Sequence, residues 1–154
     1  MMSTLEQRLD ELESIEAIKQ LKSMYCHYCD DDHNGPAIAA LFVEDGIWES
    51  DKFGRFDGRE AISGYFEATK SRISFAAHLL MNPMVTITGP DTATGKWRLL
   101  MPFTYHASGK PEAYWLVTSY ADTFRRVDGR WYFDELKVIT EVFAPHLAGW
   151  VEHA

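Results

Sequence analysis

Cysteine is scarce: two residues, Cys26 and Cys29, stand in 154, which rules out a disulfide framework. No apolar run approaches the ~18 residues that span a bilayer. The densest, Phe75-Ala76-Ala77-His78-Leu79-Leu80-Met81, already carries a histidine. Positive charge is thin as well. Fifteen Lys and Arg stand against 23 Asp and Glu, a formal net charge of −8 at pH 7. Without a basic cluster, neither a nucleic acid nor an anionic membrane is an expected partner. The start, Met1-Met2-Ser3-Thr4-Leu5-Glu6, has no basic region and no apolar signal core, so a cytoplasmic location is expected. There is no Gly-rich phosphate loop and no local nucleophile signature around Ser or Cys. Cys26-His27-Tyr28-Cys29 is a C-x-x-C with no second cysteine pair, and it sits late in a helical pattern rather than opening one. Metal and redox use are therefore not expected, and no cofactor is.

What is present is an ordinary globular composition, 46% hydrophobic and 25% charged, with one unusual feature: five Trp, seven Tyr and nine Phe. The length predicts a single domain over residues 1–154 with a sizeable core. Leu5, Leu9, Leu12, Ile15, Ile18, Leu21 and Tyr25 recur at helical spacing through the first thirty residues. Asn34-Gly35-Pro36 breaks that pattern, and Ala37 to Val43 reads as a short second helix. Ile47-Trp48-Glu49 reads as a strand. Asp57-Gly58-Arg59-Glu60 leads into a third helix with Ile62, Tyr65, Phe66 and Thr69 inward.

Beyond about residue 74 the period becomes two. Segments 75–88, 93–107, 112–126 and 131–142 read as long strands, joined by turns at Gly89-Pro90-Asp91, Ser108-Gly109-Lys110-Pro111 and Asp128-Gly129. Three helices followed by an antiparallel meander predict an α+β fold, with the helices wrapped on one face of a curved sheet. Trp97, Leu99, Met101, Phe103 and Tyr105 share one strand face, and Leu116, Thr118, Tyr120 and Asp122 another. Such a face can line a cone.

Four segments then resemble the SnoaL-like branch of the nuclear transport factor two-like cone fold. They are Ala17-Ile18-Lys19-Gln20-Leu21 leading to Tyr25 and Asp30, Leu41 to Trp48, His78-Leu79-Leu80-Met81-Asn82-Pro83, and Tyr120 to Trp131. The resemblance runs from Leu12 to Ala148 and implies a cone-shaped α+β barrel enclosing a pocket. The spacing of Tyr25, Asp30 and His78 is most similar to the hexachlorocyclohexane dehydrochlorinase, scytalone dehydratase and bile-acid 7α-dehydratase group. By that resemblance His78 is the base, Asp30 orients it, Tyr25 is a further catalytic residue and Trp48 is a pocket wall. The dehydratases carry a second His or Asp on the second long strand, where this chain has Met101 or Phe103. His106 is nearby with the opposite parity, and reaches a pocket only if the strand bulges, for which Pro102 offers a reason.

Each of these residues also has a purely structural reading. His78 in an apolar strand is a base or a satisfied core histidine. Asp30, Asp31 and Asp32 are consecutive, so any of them can be the partner or part of a solvated helix end. Tyr25 and Tyr28 offer hydroxyls to a substrate or pack in the core. Trp48, Leu99, Met101, Phe103, Leu116, Tyr120 and Leu136 are wall or core, and in a cone those overlap.

The reading that follows is a cofactor-independent lyase, a dehydratase or dehydrohalogenase, taking a proton from a small apolar ring-containing substrate with a His-Asp dyad. An isomerase or polyketide-type cyclase with the same dyad stays open, as does a non-catalytic ligand-binding or oxygenase β-subunit-like module. The resemblance further implies a homo-oligomer, a trimer ahead of a dimer, with the tail Phe143–Trp150 capping its own pocket or reaching a neighbour.

Overall fold

A computed structural model describes residues 4–153; Met1, Met2 and Ser3, on which the reading of the N-terminus partly rests, lie outside the described residues. The elements in order are α1 (Leu5–Asp30), α2 (Gly35–Ala39), β1 (Phe42–Ser50), β2 (Gly54–Asp57) and α3 (Arg59–Thr69). There follow β3 (Ile73–Ala76), β4 (Leu79–Gly89), β5 (Thr92–Tyr105), β6 (Glu112–Val127) and β7 (Arg130–Pro145). No described helix is long and apolar enough to cross a membrane.

A reciprocal cap starts α1. The Thr4 hydroxyl accepts the Gln7 N–H at 3.2 Å while the Gln7 side chain accepts the Thr4 N–H at 2.8 Å. The buried stripe of this helix is Ile18, Leu21, Lys22, Tyr25, Cys26 and Cys29. Leu5, Leu9 and Leu12, which the periodicity adds to that stripe, are exposed, because the first turns run outside the packed layer. The Asn34 side chain caps α2 by accepting the Ala37 N–H at 3.2 Å. That helix is shorter than the sequence suggests. Leu41 accepts the Phe133 N–H and Phe42 pairs with Phe133, so sheet pairing takes over residues that read as helix.

The sheet order is β2-β1-β7-β6-β5-β3, with β4 also on the edge of β5. All pairs are antiparallel except β1 with β7, which is parallel. The expected antiparallel sheet is therefore mixed: the long excursion through α3 and the meander returns β7 beside β1 in the same direction. It curls into a half-barrel under the three helices, an α+β cone. β2, a four-residue hairpin partner of β1, was too short and polar to read from its pattern.

Period two holds along the middle of the sheet. Trp97, Leu99, Met101 and Phe103 point inward from β5, and Leu116, Thr118, Tyr120, Asp122 and Phe124 from β6. Gly95 keeps that face free for an indole: a Cβ there would lie 2.2 Å from the Trp97 ring. Asp128 (φ 49°) and Gly129 (φ 77°) form the two-residue turn between β6 and β7, both left-handed as a type I′ hairpin requires.

The first long strand differs from expectation in one way that matters. Segment 75–88 is split into β3 and β4, both paired to β5, and the split lies opposite Pro102. The Pro102 carbonyl accepts the Ala77 N–H at 3.1 Å, but proline has no N–H to return. The ladder opens there, and His78 is the next residue.

Beneath the inner face lies an ion pair that the sequence did not announce. Lys22 Nζ is 2.7 Å from Asp122 Oδ2, with both side chains 0% exposed. The ammonium lies 3.3 Å from the Tyr120 ring centroid, and Asp122 Oδ1 accepts the Lys137 N–H at 3.1 Å. Burial pushes the Asp122 carboxyl up against the pull of Lys22. Lys22→Met strands a buried carboxylate and should cost about 3–5 kcal/mol in urea denaturation, whereas Lys22→Met with Asp122→Leu should recover most of that loss.

Candidate active site

The inner faces of β5, β6 and β7, together with α1 and α3, line a cavity that opens to solvent. Its wall holds Leu99, Met101 and Phe103 from β5, Leu116 and Tyr120 from β6, and Val138 and Phe143 from β7. Trp48, Tyr65 and Phe66 close the helical side. They form one aromatic stack with Phe56, in which the Tyr65 and Phe56 rings lie 4.3 Å apart and the Tyr65 and Trp48 rings 4.7 Å apart. This is an apolar chamber with a few polar groups aimed into it.

His78 is one of those groups, placed by the gap in the sheet edge. Its Nδ1 lies 2.6 Å from Asp30 Oδ1, and its backbone N–H, on the outer side of the sheet edge, donates to both Asp30 oxygens at 3.0 and 3.1 Å. Among the three consecutive aspartates it is Asp30, the last residue of α1, that reaches it. An ionised Asp30 makes Nδ1 the protonated nitrogen, which leaves Nε2 as the acceptor on the cavity side. Burial works to raise the Asp30 carboxyl, but the bond from the His78 ring, that ring's charge and the backbone N–H together hold it below its ordinary range.

Tyr25, one turn and a half before Asp30 on the same helix, is 2% exposed at the cavity wall. Its oxygen accepts the Trp48 Nε1–H at 2.9 Å. Burial raises this phenol well above its usual range, so it keeps its proton. Two of the residues named from sequence lie elsewhere. Tyr28 is turned off the inward stripe of α1 and faces a separate hollow beside Gly129 and Trp131. Leu136 is fully enclosed in the core, and it is Val138, two residues along β7, that reaches the cavity. His106 bonds Ser74 Oγ at 2.8 Å and does not line the cavity: β5 keeps an unbroken register with β6, so no bulge carries it in. The tail does not cap the chamber beyond Phe143. His146 accepts the Trp115 Nε1–H, and Trp150 sits edge-on to Trp115. Cys26 and Cys29 are buried thiols, and burial pushes Cys26 up to about 12.

The sequence reading missed His33, Arg72 and much of the aromatic wall. Tyr65, Phe66 and Thr69 were legible as the inward stripe of α3, but nothing in the pattern said that this stripe meets a void. Arg72 stands at the cavity wall with its guanidinium 6.0 Å from the Tyr65 ring and a hydrogen bond to Thr69 Oγ1 at 3.2 Å. His33 follows the end of α1 in a left-handed conformation, φ 48°, with Asp32 before it at φ 50°. Its ring stacks on Phe66. The available signal was the helix stop at Asn34-Gly35-Pro36, which forces a tight reversal at the preceding residues.

A curled sheet closed by three helices over an apolar chamber, with a His–carboxylate pair in its wall, is the nuclear transport factor two-like cone. Residues 10–137 match the SnoaL-like domain, and the chain belongs to that family. Hexachlorocyclohexane dehydrochlorinase LinA-type3 from Novosphingobium barchaimii has the same fold, with TM-score 0.82 and 24% identity over 92% of this chain and 95% of that one. A candidate scytalone dehydratase from Novosphingobium aromaticivorans superposes with TM-score 0.79 and 23% identity over 89% and 90%. An NTF2-like protein of cystatin-like fold from the same organism is 27% identical, with TM-score 0.73 over 91% and 92%. No protein of curated function matches the chain.

Burial, with repulsion from His78, pushes the His33 imidazole down to about 4 from 6.5. Between those values the unfolded chain binds a proton that the folded one does not, so stability rises with pH there and is lost as pH falls from 6.5 toward 4. His33→Asn, which tolerates the left-handed backbone, should flatten that slope by up to about 1.4 kcal/mol per pH unit. Urea midpoints across the range measure it.

Proposed function

We propose that the protein is a lyase that eliminates water or halide from a small, largely apolar ring compound, with His78 as base and Asp30 as its orienting carboxylate. The observation that carries this reading is the 2.6 Å contact between His78 Nδ1 and Asp30 Oδ1 at the wall of an apolar chamber. Family membership supports a reaction of this type, and the folds shared with a dehydrochlorinase and a candidate scytalone dehydratase point the same way.

His78 Nε2 takes a proton from carbon, and Asp30 stabilises the imidazolium that forms while holding the ring in place. Tyr25 supplies an O–H to a substrate carbonyl oxygen as negative charge develops on it, since its lone pair already receives the Trp48 indole N–H. The C–H electron pair becomes the new C=C bond as the leaving group departs with its own pair. A departing hydroxide recovers the proton from the His78 imidazolium, which releases water and restores the base. Trp48, Leu99, Met101, Phe103, Leu116 and Tyr120 seat the ring and keep bulk water out.

A panel of hydroxylated and halogenated alicyclic and aromatic ring compounds, followed by mass spectrometry, tests the reading. The expected product is lighter by one water or one hydrogen halide; a product of unchanged mass would make the protein an isomerase or cyclase, and an unchanged ligand a binding module. His78→Ala should lower kcat/KM by about 10²–10⁴-fold, and Asp30→Asn by a similar order through loss of ring orientation. Retained turnover in His78→Ala overturns the mechanism.

A further inference from the structure

We infer that His33 holds the oxygen of the departing group, so that the site is built to release water from a hydroxylated ring rather than halide from a halogenated one. The inference rests on the lyase reading and specifies its substrate.

Three independent features of His33 converge. The residue is 6% exposed, and its ring is part of the same cavity wall as His78. Among the described residues neither of its ring nitrogens bonds a protein group, whereas His78, His106 and His146 each have a partner. A polar ring at a cavity wall with no protein partner is free to bond whatever occupies the cavity. The backbone tells the same story. Asp32 and His33 are consecutive non-glycine residues in the left-handed region, a conformation that persists only where the surroundings enforce it. The enforcing bonds are His33 N–H to Cys29 O at 3.2 Å and Asn34 N–H to Tyr28 O at 3.0 Å. This strained reversal is what turns the imidazole inward against Phe66 instead of outward beside Asp31 and Asp32.

The chemistry selects the ligand. Burial, with His78 at the β3–β4 break and Lys70 at the end of α3, keeps the ring neutral against the pull of Asp32 and Asp30 at the end of α1. A neutral imidazole offers one N–H and one lone pair. A hydroxyl can accept from the first or donate to the second, while a carbon-bound halogen offers only a weak acceptor. The ring N–H donates to the oxygen as the C–O bond breaks and keeps its own proton; the proton that completes the water molecule is the one His78 removed from carbon. Met101 and Phe103 on β5 are apolar wall and offer no such donor. His33 reaches the chamber from the α1–α2 connection.

The test uses two ring ketones that eliminate to the same enone, β-hydroxycyclohexanone and β-chlorocyclohexanone, followed by enone absorbance. His33→Phe should lower kcat/KM on the hydroxy ketone about 10²-fold, the scale of losing one donor to developing charge, and change the chloro ketone less than about threefold. His33→Asn, which accepts the left-handed backbone, serves as the folding control. Equal losses on both ketones would make His33 a shaping residue only, and no loss on either would remove it from the site; both overturn the inference. His78→Ala unchanged on both ketones would instead overturn the lyase reading. Imidazole ¹⁵N shifts give a readout independent of turnover. Cyclohexanol should move the His33 resonance and cyclohexane should not; a response to neither, or to both alike, overturns the inference.

Discussion

The buried Lys22–Asp122 pair fixes where α1 lies, and the site follows from that placement. A charge taken fully out of water has few positions in which it is tolerable, and this ammonium has one: a carboxylate at 2.7 Å and the face of Tyr120 at 3.3 Å. The pair therefore locks one turn of a 26-residue helix to one residue of β6. An α-helix rises 1.5 Å per residue with little freedom, so setting Lys22 also sets Tyr25 and Asp30 further along. Asp122 repeats the constraint toward β7 by accepting the Lys137 N–H. The floor of the cone is thus cross-linked by charge, and its mouth by aromatic packing.

The His78–Asp30 contact joins residues 48 positions apart, and it uses the backbone of His78 as well as its ring. Because Pro102 cannot donate, the Ala77 carbonyl gets no return bond, while the backbone N–H of His78, which alternation turns to the outer side of the edge, goes to Asp30. One carboxylate therefore satisfies an orphaned backbone group and orients a side chain of the same residue. Removing the carboxylate would undo both, which ties the geometry of the base to the local integrity of the sheet.

Much of this was legible in the sequence. Period-two alternation gave β5 and β6 with their inward faces and Asp128-Gly129 gave the hairpin, whereas Pro102, read as a reason for β5 to bulge toward His106, lies opposite the break between β3 and β4 instead. What was not legible depends on pairings between distant residues. The parallel β1–β7 contact, the capture of Phe42 into the sheet and the meeting of Lys22 with Asp122 leave no local trace. Lys22 reads as one more solvated helix lysine until β6 is folded against it. His33 escaped for a different reason: its orientation comes from two left-handed residues, and Asp-His gives no pattern comparable to a glycine at a turn. Tyr28 and Leu136 were overreached, since a helix stripe and a strand face say which side is inward but not where along it the void begins.

Alternation along β5 also separates two kinds of change. Leu99, Met101 and Phe103 belong to the chamber, while Arg98, Leu100 and Pro102 belong to the opposite surface and to the strand pairing. A substitution at an odd-numbered position alters the volume and shape offered to a ligand, and one at an even-numbered position alters edges and exterior. Lineages sharing this scaffold can therefore drift in what they accept without drifting in how they fold.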